Sequence, residues 1–292
     1  MNLKKPTAIL TGDWHLREDQ PVCRTDNFWE AQWRKVDFIS DLQRAFDCPV
    51  LHSGDLFHTA KPSLYLVNVA MGHLPSRFFT VYGNHDLPQH NLELAEKCGI
   101  RLLEKAGCLT VLPGIHWGQV PFSWPYSLVQ FPRLIEKQFI VWHVMTFADE
   151  EPWPGCPDPN ALRTLKKYPE FDLILTGHNH QTFTVGLKNR ILVNPGSITR
   201  QEADQANHEP CVFLWDASDN TVEKVLIPFS EGIITREHID RIKRRDDRLD
   251  AFVSRLNNEW EASVSFEENL DRLIKANNIR QSVVQIINNA VL

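Results

Sequence analysis

The chain has 292 residues, 42% of them hydrophobic, 10% aromatic and 23% charged. That composition excludes a disordered polymer and leaves room for one large sheet-centred domain with an appendage, or two modest domains. Thirty-one Lys and Arg against 37 Asp and Glu give a formal charge of −6, which removes bulk electrostatics as a route to nucleic acid but not a nuclease, whose metal ions add positive charge that residue counting misses.

Six cysteines, Cys23, Cys48, Cys98, Cys108, Cys156 and Cys211, stand singly without C-x-x-C spacing, so a zinc ribbon and a disulfide framework are both unsignalled and a reducing cytoplasm is expected. The apolar run before Gly12 and Asp13 is too short for a signal peptide. No apolar stretch approaches the ~20 residues that span a bilayer, so no membrane association is expected.

In chain order, an apolar run at 7–11 precedes a helical pattern at 27–46, an apolar run at 49–52, a helical pattern at 63–72 and an apolar run at 78–82. Runs at 139–143 and 171–176 continue this βα order, and the chain then turns strand-rich at 182–187, 190–193, 211–215 and 221–227. The expected fold is a layered α/β core, two sheets flanked by helices, with the later sheet partly antiparallel. Gly and Pro vanish after Gly232, and helical patterns follow at 235–259, 266–276 and 279–290, the second opened by a capping box of Ser265 and Glu268. Two regions are therefore expected, a core at 1–228 and a helical C-terminal segment at 229–292. Ten Lys and Arg against eleven Asp and Glu give that segment −1, so it is not a basic arm. The basic stretch Arg241, Lys243, Arg244, Arg245 and Arg248 is broken by Asp246 and Asp247 and reads most simply as a solvated helix face, with phosphate contact the alternative. A Pro-rich loop at 148–160 is placed to border a site.

Five clusters carry chemistry. Asp13-Trp14-His15 follows the first strand, Gly54-Asp55-Leu56-Phe57-His58 the second and Gly83-Asn84-His85-Asp86 the third. His143 ends the 139–142 run, and Gly177-His178-Asn179-His180 ends 173–176. Carboxyl ends of strands form the ligand crevice of α/β sheets, so all five can converge on one site. They supply the oxygen and imidazole ligands, with a carboxylate able to bridge, that a pair of metals about 3.5–4 Å apart requires. Alternation in D-x-H lets Asp13 and His15 grip one metal while Trp14 packs or faces the substrate. His52, His73, His90, His116, His208 and His238 match no motif position and read as surface or core residues. Among the tryptophans, Trp29, Trp33 and Trp215 read as core, and Trp14, Trp142 and Trp153 as candidates for substrate contact.

These residues resemble the calcineurin-like metallophosphoesterase signature, D-x-H, G-D-x-x, G-N-H-D/E, a lone H and G-H-x-H, in order over residues 13–180. The resemblance implies that Asp13, His15 and His180 hold a first metal, that Asn84, His143 and His178 hold a second, and that Asp55 bridges them. It makes His85 the acid that protonates the leaving oxygen, with Asp86 orienting its ring. Asn194-Pro195-Gly196-Ser197 is similar to the family's usual ending. Gly54 to His58, followed by Lys61-Pro62-Ser63, resembles the DNA-repair branch, the SbcD nucleases and their eukaryotic meiotic recombination counterparts. There a His in the place of His58 helps position the DNA phosphate, and Lys61 is a candidate substrate contact.

By that resemblance the expected cofactors are two divalent metal ions, Mn²⁺ foremost. The expected substrate is DNA, and the expected partners are an SMC-like ATPase and a second copy in a homodimer. Repair nucleases of this branch carry a DNA-binding cap after the core; only 64 residues follow Pro228, so the cap is expected to be small, rearranged or absent. The other readings are a small-molecule phosphatase or cyclic-nucleotide phosphodiesterase using the same metals, and a non-catalytic scaffold for the helical tail.

Overall fold

The computed structural model describes residues 5–112, 137–148, 151, 154, 156, 158–259, 266–277 and 279–291. They fall into two compact units, Met1–Arg236 and Glu237–Leu292. The first half of the first unit runs β1 (Ala8–Thr11), α1 (Phe28–Phe46), β2 (Val50–His52), α2 (Leu64–His73), β3 (Phe78–Thr80), α3 (Gly99–Lys105) and β4 (Thr110–Val111). Its second half runs β5 (Phe139–Trp142), α4 (Ala161–Lys167), β6 (Leu173–Thr176), β7 (Phe183–Leu187), β8 (Arg190–Asn194), β9 (Cys211–Asp216) and β10 (Thr221–Leu226). The second unit holds α5 (Glu237–Glu259), α6 (Phe266–Ala276) and α7 (Gln281–Val291).

Local chemistry sets the helix starts. Asn27 accepts the Glu30 N–H at the head of α1, Ser63 accepts the Leu66 N–H at α2, and Asn160 accepts the N–H groups of Leu162 and Arg163 at α4. Each cap satisfies donors that the first helical turn cannot pair internally. Phe28, Trp33, Val36 and Ile39 then recur at helical spacing along α1 and are buried.

The strands form a sheet in the order β10-β9-β1-β2-β3-β4 and a second in the order β5-β6-β8-β7. Strands β1 to β4 are parallel, as are β5, β6 and β8, while β9, β10 and β7 are the antiparallel members. Strand alternation sorts the second sheet's side chains between two cores. Phe139, Val141, Leu173, Leu175 and Val193 join Ile9, Val50 and Phe78 in the core between the sheets. Ile140, Trp142, Ile174 and Leu192 pack on the other face with Ala161 and Leu165 of α4. This is the layered α/β arrangement expected from the sequence. The short elements α3, β4 and α4, of seven, two and seven residues, add to the arrangement expected. The Ser265 capping box lies outside the described residues.

The segment after β10 stays with the first unit. Thr25 N–H donates to Ile233 O and Thr235 N–H to Cys23 O, so residues 23–25 and 233–235 are laced together. Among the described residues no helix is long and apolar enough to cross a membrane.

Candidate dinuclear metal site

Strands β1, β2, β3, β5 and β6 each deliver one motif at their carboxyl ends. Backbone bonds tie these loops into a single framework: Trp14 N–H and His15 N–H both donate to Asp55 O, at 3.0 and 2.9 Å, and Ile198 N–H donates to Asp13 O at 3.0 Å. His15, Asp55 and His178 have φ of 48°, 58° and 69°, left-handed backbone that costs a non-glycine residue about 1–3 kcal/mol. Three such residues in one cluster mark a framework held in shape by its surroundings, and each bend turns a titratable side chain toward the others. Gly83 makes the approach possible, since a Cβ there would lie 2.0 Å from Asp55 Oδ1.

Two donor sets result. Asp13, His15 and His180 present ligand atoms within 4.8 Å of one another, and Asp55, His143 and His178 do the same. Asp55 Oδ2 lies between the sets, 3.6 Å from His15 Nε2 and 3.4 Å from His143 Nε2. Asn84 completes the second set with Oδ1 2.9 Å from His143 Nε2. His143 Nδ1 donates to Ser53 O at 2.8 Å, which leaves Nε2 as the candidate ligand atom.

Two polar atoms of the first donor set lack ordinary partners. Asp13 Oδ2 and His15 Nδ1 are buried with no hydrogen-bond partner, and the Nε2 atoms of His15 and His180 face each other at 3.1 Å. Burial, helped by the nearby Asp55 charge, pushes the Asp13 carboxyl up to about 8. Burial also presses His180 down to about 4 and His15 well below the ordinary imidazole range. On His143 the burial effect is outweighed by the charges of Asp55 and Asp13, which raise it to about 9. The same His143 attraction outweighs burial at Asp55 and lowers it. Lone pairs thus converge on two points where only protons or cations relieve them, and oxygen with imidazole donors suits divalent transition metals.

An open cavity borders this cluster, lined by His15, Arg17, His58, His85, His180, Ser197, Thr199, Gln201, Glu202 and Gln205. The profile of the family described as calcineurin-like phosphoesterase matches residues 6–182, which takes in every one of the five loops. The chain belongs to that family. Calcineurin-like phosphoesterases are metal-dependent hydrolases built around a dinuclear divalent centre, and the His and Asp groups here fit one.

Among solved structures, the phosphoesterase is similar to a novel archaeal phosphodiesterase at 11% identity and a TM-score of 0.41, over 75% of this chain and 98% of that one. It is also similar to a candidate 5′-nucleotidase from Staphylococcus aureus at 13% identity and 0.45, over 82% of this chain and 57% of the other. A phosphoesterase from Streptococcus pneumoniae, so classed by prediction, matches at 13% identity and 0.34, over 76% and 97%.

Several site expectations change in the phosphoesterase as it stands. Asp86 does not touch the His85 ring; its carboxylate accepts N–H groups of Asp55 at 2.7 Å, Gly83 at 2.9 Å and Phe57 at 3.2 Å, welding two ligand loops together. His85 is oriented by backbone, its Nδ1 donating to His58 O at 2.8 Å. Trp14 is fully buried, with Nε1 donating to Thr11 Oγ1 at 2.9 Å and its ring on Phe78, so it is a core residue and not a substrate contact. The left-handed turn at His15 is why: D-W-H is not extended there, and alternation does not apply. Trp142 likewise packs in the outer core, and Trp153 lies outside the described residues. Lys61 is exposed and is not part of the cavity wall. His58 does reach the cavity, where His15, His58 and His85 bring ring nitrogens within 4.8 Å.

Other residues act without having been singled out. Asn194 Nδ2 donates to the carbonyls of Asn179 and Gln181, and Asn179 Nδ2 to Thr146 O, so two amides hold the His178 and His180 loop. Asn as the x of G-H-x-H and in N-P-G-S was the available signal. His52 and His208 are engaged elsewhere, with Thr80 Oγ1 and Ser197 O.

Proposed function

We propose that this phosphoesterase is a phosphodiesterase that cleaves DNA, with Mn²⁺ the metal that serves it best. The observation that carries the reading is the imidazole pair His58 and His85, which stands beside the ligands without belonging to either donor set. The ring centroids lie 5.5 Å apart, and 5.7 and 4.7 Å from His15. A sugar alkoxide is a poor leaving group and needs a proton. His85 has Nδ1 committed to His58 O, so Nε2 is the atom that delivers it. In this reading His58 holds a phosphate oxygen while that happens. Asp55 and Asn84 keep the donor sets adjacent, and Asp86 keeps Asp55 in place. The divalent ions, when held by Asp13, His15, His180 and Asp55 and by Asp55, Asn84, His143 and His178, supply Lewis acidity toward the phosphoryl group.

The likeness of Gly54-Asp55-Leu56-Phe57-His58 to the SbcD nucleases supports DNA as the substrate. The same likeness extends the proposal to an SMC-like ATPase partner and a homodimer.

The test is digestion of end-labelled single- and double-stranded DNA with Mn²⁺, beside His85→Asn and beside a nucleotide diester. The expected result is DNA degradation that falls about 10²–10⁴-fold in His85→Asn with bound metal unchanged. Diester hydrolysis with DNA left intact identifies a small-molecule phosphodiesterase instead.

A further inference from the structure

Arg17 is the one Lys or Arg in the cavity wall among the described residues, and more of the protein is devoted to holding it than a surface ion pair needs. Its backbone is clamped by the fully buried Gln32 of α1, which accepts Arg17 N–H at 3.1 Å and donates to Arg17 O at 2.7 Å. Its guanidinium is fixed from two sides. Asp19 accepts from Nε at 2.9 Å and from Nη2, and Gln201 Oε1 accepts from Nη1 at 3.4 Å. The Gln201 amide is itself aimed, because its Nε2 donates to His15 O at 3.0 Å and to Thr199 Oγ1 at 2.7 Å. The side chain is 18% exposed, against 69% for Asp19, so the cation is turned into the wall and its counter-ion faces solvent.

A guanidinium has five N–H donors and those bonds use three, which leaves one on each of Nη1 and Nη2 for an anion such as phosphate. Arg17 lines the same cavity as His58 and His85, and like them it stands outside both donor sets. Glu202 lines the same cavity and is the acidic member of its wall.

We propose that Arg17 binds a phosphate adjoining the ester that is cleaved, so that the site selects nucleotide chains with consecutive phosphates over an isolated diester. This rests on the phosphodiesterase reading for its chemistry, but its test reads binding. Calorimetry with Mn²⁺ in the His85→Asn background compares TpT with pTpT and TpTp. One of the two phosphorylated dinucleotides is expected to bind about 10- to 100-fold more tightly than TpT, the range of charge-assisted hydrogen bonds to a phosphate, and which end carries the advantage gives the direction of the chain across the site. Adding Arg17→Gln is expected to bring that ratio to within about threefold, with Arg17→Lys, which keeps charge without the guanidinium, in between. The ratio is internal to each protein, so a general loss of folded material does not mimic the effect. An unchanged ratio in Arg17→Gln, no preference while Arg17 is present, or equal weakening of all three ligands each overturns the assignment. If the preference depends on Arg17 but the wild type hydrolyses none of the three, the phosphodiesterase reading falls and the phosphate subsite stands.

Discussion

Asp55 and Asp86 are buried carboxylates 31 residues apart that the fold uses in opposite ways. Asp55 turns Oδ2 toward imidazoles of both donor sets, while Asp86 is spent on backbone N–H groups. Asp55→Asn is accordingly expected to lose bound metal along with activity, because a neutral amide bridges two cations poorly; elemental analysis of the purified variant decides it, and full metal content would break the assignment of Asp55 as the bridge. Asp86→Ala strips the acceptor from at least three buried donors and is expected to cost about 3 kcal/mol or more, read as a lowered urea midpoint, with metal stoichiometry falling because Asp55 is no longer held. The residues of the two donor sets stand out in the sequence as candidate ligands, since coordination demands particular side chains and strand ends bring them together. The role of Asp86 was not, because its partners are amides that every residue but proline carries. Arg17 and Gln201 escaped for a related reason: 184 residues separate them, and nothing local marks either.

At the level of elements, alternation and helical spacing located the long helix of the first unit and nearly every strand, because each buries a face whose period the sequence records. They missed α3, α4 and β4, which run to seven, seven and two residues, too short for a period to show. They also gave no warning that α1 buries a charge. Lys35 is 4% exposed, its Nζ has no hydrogen-bond partner, and it lies over the Phe229 ring, 5.9 Å from the centroid. Burial is the main reason its ammonium is pulled down to about 7, with Arg200 and Arg24 adding to it and Asp26 opposing. The unfolded chain holds this proton up to the ordinary 10.5, so between those values the unfolded state binds more protons and stability rises with pH. Lys35→Met keeps most of the volume and removes the charge. Its stability advantage over wild type is expected to be full and constant below pH 7 and to shrink steadily toward pH 10.5, measured as the difference of the two denaturation curves. A difference independent of pH would mean that Lys35 finds a counter-charge in solution.

Across the whole molecule, every ligand, the cavity wall and Arg17 fall within residues 13–205, inside the first compact unit. The change of sequence character near Ser230 marks the loss of Gly and Pro, whereas the chain's contacts continue beyond it. Arg200 donates to Ser230 O and stacks on Phe229 at 4.8 Å, and residues 233–235 pair with 23–25. Arg24 in turn donates to Arg200 O at 2.9 Å, one residue before Gln201 and the cavity wall. A chain ending at Arg236 keeps this strap and one ending at Pro228 loses it. The 1–236 protein is expected to unfold cooperatively and to gain thermal stability from Mn²⁺, about 2.7 kcal/mol at a hundred times the dissociation constant, or roughly 5–10 °C for a domain of this size. The 1–228 protein is expected to melt lower and to respond less, because the wall that carries Gln201 has lost its backing. Equal melting temperatures and equal Mn²⁺ shifts for the two would show that the strap is passenger chain and that the site ends where the sequence changes character.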